Sequence, residues 1–82
     1  MPTVLWCGGI RIAIHTNDHR PPHIHAIGNG CEAVFVIDCE EVSVALRENY
    51  GFTLRELRNI EHCLLKQFDE LCREWEMIHG HP

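Results

Sequence analysis

The segment Asn17-Asp18-His19-Arg20-Pro21-Pro22-His23-Ile24-His25 gathers three of the chain's seven histidines, a carboxylate and a guanidinium around a double proline. Imidazole titrates near neutral pH and ligates metals, so this cluster points to proton transfer or metal binding. In an extended segment alternate side chains share a face, which sets His23 beside His25 and turns Ile24 and Ala26 the other way. The two prolines fix φ at successive positions and bias Arg20 towards an extended backbone, which predicts an ordered bend between His19 and His23.

Two Cα positions one residue apart on a strand stand about 7 Å from each other, close enough for His23 and His25 to reach one zinc or other divalent ion. His19 and Glu32, with Asp18 beside them, are the candidates for the remaining ligands. Without a metal, His23 and His25 could shuttle protons while Arg11 or Arg20 clamps a phosphate, as a small ribonuclease requires. The plain alternative is structural: the histidines hydrogen-bond backbone groups of the bend. The chain has no Gly-rich phosphate loop and no Gly-x-Ser-x-Gly elbow, and Ser43 is its single serine. Whether the protein is an enzyme stays open at this point.

The elements that must position these groups are legible from periodicity. Thr3 to Cys7 and Ile10 to His15 flank Gly8-Gly9 and predict a hairpin, with Ile10, Ile12 and Ile14 on one face and Arg11, Ala13 and His15 on the other. His23–Ile27 and Cys31–Asp38 predict a second hairpin around Gly28-Asn29-Gly30. With Asn29-Gly30 at the centre of the turn, Ile27 lies opposite Glu32, Ala26 opposite Ala33, His25 opposite Val34 and Ile24 opposite Phe35. A slip of one residue would mix Glu32 with Ile24 and Ala26. Glu41–Leu46 is a further short strand. From Thr53, which forms a capping box with Glu56, the period changes: Leu57, Ile60, Leu64, Phe68, Leu71, Trp75 and Ile78 recur at helical steps until Gly80.

A helix over 54–79 would run roughly 39 Å, against a sheet about 20 Å on a side. Either it bends near Gln67, or its last turns pack on a second chain; the sequence reading favours the second chain. The opposite helix face carries Lys66 with Glu70 and Asp69 with Arg73 as solvated pairs. His15 and His62 are expected on the surface, and His79 at the helix end, complementing its dipole.

Eighty-two residues make one domain over 1–82, with a β-meander over 3–46 and a helix over 53–79. A formal charge of −5 argues against extensive contact with a nucleic-acid duplex, while leaving room for local RNA or phosphate contact. No apolar run approaches the ~20 residues of a membrane span. Five cysteines without a Cys-x-x-Cys pair suggest free thiols in a reducing compartment, with Cys63 and Cys72 as buried apolar residues and Cys7 as the exposed thiol. Together with an opening that lacks a secretory pattern, this predicts a cytoplasmic protein.

The Met1-Pro2-Thr3-Val4-Leu5 opening, Asn17-Asp18-His19, Pro21-Pro22-His23-Ile24-His25, Glu32-Ala33, Gly51-Phe52 with Arg55-Glu56-Leu57, and the late Trp75 resemble the short prokaryotic proteins grouped as domain of unknown function 4160. The family has no established activity. Its members are often encoded beside another small protein, so the resemblance implies one half of a toxin-antitoxin-like pair. Trp6 stands where many relatives carry a basic residue, and Val34 and Val36 replace a more polar or aromatic pattern.

The reading that results is an α+β domain, a small and mostly antiparallel β-meander of two hairpins plus a short strand, covered by one long C-terminal helix. Its expected function is that of a small interaction module with a partner protein, forming a homo-oligomer through the helix. The competing function is a nuclease-like toxin or metal-binding protein using His19, His23 and His25.

Overall fold

A computed structural model of the chain describes residues 2–16 and 21–80. Five strands, β1 (Thr3–Cys7), β2 (Ile10–Ala13), β3 (His23–Gly28), β4 (Cys31–Asp38) and β5 (Ser43–Tyr50), form one antiparallel sheet in sequence order. The β3–β4 register is the expected one: Ile24 faces Phe35, His25 faces Val34, Ala26 faces Ala33 and Ile27 faces Glu32. Asn29 and Gly30, at φ 54° and 74°, make the two-residue turn whose twist matches the strands. Gly28 lies where an added Cβ would stand 2.7 Å from Ile10 Cδ1 and 3.0 Å from the Gly9 carbonyl, so β3 ends against the first hairpin's turn at a residue without a side chain. Several strand boundaries differ from the sequence reading. Strand β2 stops at Ala13, although Ile14 N–H still donates to the Pro2 carbonyl. Strand β5 starts at Ser43 and runs on to Tyr50, with a register shift opposite Val34 and Phe35.

The long helix divides in two, α1 (Leu54–Lys66) and α2 (Phe68–His79). The capping box is formed: Thr53 N–H donates to Glu56 Oε1 and Glu56 N–H to Thr53 Oγ1. At Gln67 the backbone leaves helical geometry for one residue, at φ −112° and ψ 25°, while its N–H still donates to the Cys63 and Leu64 carbonyls. This resolves the mismatch of lengths. Thirteen residues of α1 run about 20 Å, matching the sheet, and the break re-aims α2 so that Phe68, Leu71 and Trp75 join the same core as Leu57, Ile60 and Leu64. That core covers the sheet face of Leu5, Ile12, Ile24, Ala26, Ala33, Phe35 and Ile37. The favoured reason for a second chain on the helix, an overhanging apolar end, is therefore absent.

The cysteine reading is corrected. Cys7 pairs with Cys63 and Cys39 with Cys72, bridging the sheet side of the molecule to α1 and to α2; Cys31 is the free thiol. Cys7 is buried, not the exposed thiol expected beside the glycine turn. The pairs are separated by 56 and 33 positions, so no local spacing announced them.

Candidate functional site

Strand β3 places His23 and His25 on one face, opposite Val36 and Val34, and Ile24 and Ala26 on the helix-covered face. The alternation expected from the sequence holds, but the imidazoles do not stand out into solvent: His23 is 7% and His25 8% exposed. Their rings meet edge to face at 5.4 Å. His15, two residues beyond Ala13, the residue of β2 that pairs with His25, stacks flat on the His25 ring at 3.7 Å. On the other side, the Trp75 ring lies 6.1 Å from His23 and 4.0 Å from His79. His79 Nε2–H donates to the His15 carbonyl at 2.9 Å, which closes the series and ties the end of α2 to the end of β2.

These contacts fix protons as well as rings. A carbonyl oxygen only accepts, so His23 Nδ1–H donates to the Pro21 carbonyl at 2.7 Å. This is the bend-stabilising bond that the structural reading of the histidines anticipates. His25 Nδ1–H donates to Glu32 Oε2 at 3.0 Å, across the diagonal between neighbouring strands. His25 Nε2 is buried and has no hydrogen-bond partner among the described residues. A carboxylate on one nitrogen orients an imidazole for work at the other, as it does for many metal-bound histidines. Glu32 is thus placed to hold His25, whereas the sequence reading counted it as a ligand.

Of the remaining site candidates, Arg11 alone is among the described residues. Arg11 sits opposite Trp6 and Ile27, with Nη1–H donating to Thr3 Oγ1 at 3.3 Å, while Ala13 and not Arg11 is the neighbour of His25. His19, Asp18 and Arg20 lie outside the described residues. Among the described residues, no group of three or more His, Cys, Asp or Glu side chains is arranged to hold a metal ion. His15 and His79 were expected at the surface and at the helix end. The face of His15 was legible in the alternation with Arg11 and Ala13; nothing local could have brought His79 to it across 64 positions.

Beside the histidines, on the same sheet face, one row crosses all five strands: Trp6, Arg11, Ile27, Glu32 and Tyr50, each opposite the next. Its two ends are aromatic and well exposed, Trp6 at 58% and Tyr50 at 62%. Tyr50 O–H donates to Glu48 Oε1 at 2.6 Å. That bond, and then the Glu48 charge, raise the phenol's pKa above its ordinary value.

A family model described as domain of unknown function (DUF4160) matches residues 9–76, from the turn that follows β1 through β2 to β5 and α1 into α2. Comparison with curated proteins and with solved structures gave no match.

Proposed function

The chain belongs to the DUF4160 family, and we propose that it works as a small prokaryotic interaction module, one half of a toxin-antitoxin-like pair. One observation carries the reading. The helices cover one face of the sheet with their apolar stripe, while the other keeps Trp6 and Tyr50 exposed at the ends of a row. Tryptophan and tyrosine are enriched at protein interfaces because they bury large areas at small entropic cost. The surface for the partner is therefore the sheet and not the helix, whose exposed large apolar residues are the separate Leu54, Leu65 and Met77.

Co-expression with the small neighbouring protein that this reading expects tests it. Trp6→Ala with Tyr50→Ala should weaken co-purification at least about tenfold, as loss of two interface aromatics does. An unchanged yield of complex would remove the reading.

The cytoplasmic placement belongs to the same proposal and has a consequence. A reducing compartment keeps thiols apart, so there the helices would be held without the two bridges, by apolar packing and the His79 bond to the His15 carbonyl. No described helix is long and apolar enough to cross a membrane.

A second reading rests on His25, with its buried Nε2 and its Nδ1 oriented by Glu32. In this reading His19, His23 and His25 bind a divalent metal such as zinc, or act on RNA. Zinc should then raise the melting temperature of the native chain and leave His25→Ala unmoved; equal shifts in both would end it.

A further inference from the structure

We infer that the row from Trp6 to Tyr50, the open part of the sheet face opposite the helices, binds a second copy of this chain about a two-fold axis parallel to β3 and over Ile27. The inference rests on the interaction-module reading and names one occupant of its surface. The row across the sheet reads Trp6, Arg11, Ile27, Glu32, Tyr50. An axis through Ile27, lying between the two faces and parallel to β3, sets each strand of one copy over the strand equally far on the other side of β3 in its partner. Strand β2 then faces β4 and β1 faces β5, so Ile27 meets Ile27, Arg11 meets Glu32 and Trp6 meets Tyr50, each unlike pair occurring twice. The row is complementary to itself under that operation and under no shift along it. Moving one strand sideways would place Ile27 over a charge and leave one aromatic without a counterpart.

The charges are presented for this use. Glu32 is held by His25 through Oε2, its side chain still 43% exposed, so its carboxylate is oriented before any partner arrives. Arg11 has one guanidinium nitrogen on Thr3, and a guanidinium carries further N–H donors. Sheets packed face to face lie about 10 Å apart with their strands within about 30° of each other. Arginine and glutamate side chains together span that distance. Positions next to the axis are displaced least by such a rotation, and those are the positions that hold Arg11 and Glu32.

A two-fold contact with unlike pairs has a distinctive test. Native mass spectrometry and sedimentation of the full chain, with both disulfides intact, should report a dimer. Arg11→Glu puts two glutamates against each other twice over, and Glu32→Arg does the same with arginines. Each variant alone should dissociate at least about tenfold more readily, since like charges facing each other are unfavourable. Mixed together, the two variants should form a heterodimer, because both contacts become glutamate against arginine. Trp6→Glu mixed with Tyr50→Lys covers the case in which Glu32→Arg, losing His25, fails to fold: each alone sets two charges against aromatics, and the mixture restores one Trp–Tyr contact and adds one pair of opposite charges, so the heterodimer should again be favoured. A wild-type chain that stays single up to its solubility limit, a dimer indifferent to the charge reversals, or mixtures that do not associate would each overturn the inference. A single chain that still binds the neighbouring small protein through Trp6 and Tyr50 would overturn it while leaving the module reading in place.

Discussion

The two faces of the sheet are built from the same strands and do opposite things. On one, Ile12, Ile24, Ala26, Ala33 and Phe35 are sealed under two helices. On the other, the alternate residues of those strands include His23, His25, Glu32 and Arg11, polar groups tied to nearby backbone and side-chain partners. Strand β3 shows the contrast within six residues, His23-Ile24-His25-Ala26-Ile27-Gly28. A period of two lets one strand anchor a core and carry polar chemistry without either compromising the other. Stability should therefore respond to the covered face and recognition to the uncovered one.

The largest expected effect comes from releasing the cover. Each disulfide closes a long loop and stabilises by about 2–4 kcal/mol, so a reductant acting on both should lower the urea midpoint more than any single substitution. A midpoint indifferent to reductant would mean that the helices are fastened without the bridges. Next comes Phe35→Ala at the centre of the core, where removing a fully buried ring costs about 3–5 kcal/mol. On the other face, Trp6→Ala should stay within about 0.5 kcal/mol in the same urea titration, as exposed positions do. A loss as large as that of Phe35→Ala would erase the distinction between the faces.

The smallest effect is a titration. Tyr50, the single tyrosine, should ionise above 10.0 because Glu48 accepts its proton bond and repels the phenolate. A raised phenol favours the folded state below the unfolded value and loses that contribution as pH rises through the folded one. Glu48→Gln should bring the tyrosinate absorbance midpoint back towards 10.0. If the midpoint is the same in both proteins, the Glu48 contact does not persist in solution.

The local features were readable because each rests on neighbours in sequence. Asn29-Gly30 fixes the β3–β4 register, and a slip would have buried Glu32. Thr53 and Glu56 cap α1 as a pair three residues apart. The features that escaped depend on distant partners. The apolar period runs unbroken through Gln67, with no proline or glycine to mark the turn of the axis; the mismatch of lengths offered a bend there as the less favoured of two alternatives, and only the docked helices decide for it. Cysteine pairing and the meeting of His15 with His79 likewise appear only after the helices dock. Of the candidate site, the pairing of His23 with His25 on one face was legible. Their burial was not, since it comes from His15 and Trp75 arriving from elsewhere.

Every strand of the sheet pairs with the strand next to it in the chain. No long segment has to be brought back before the first pairing forms, so the sheet can zip up turn by turn at little entropic cost of closure. The distant steps, docking of the helices and formation of the two bridges, come after a template already exists. Rapid formation of sheet signal ahead of thiol loss, followed during oxidative refolding, is the kinetic order that this topology requires.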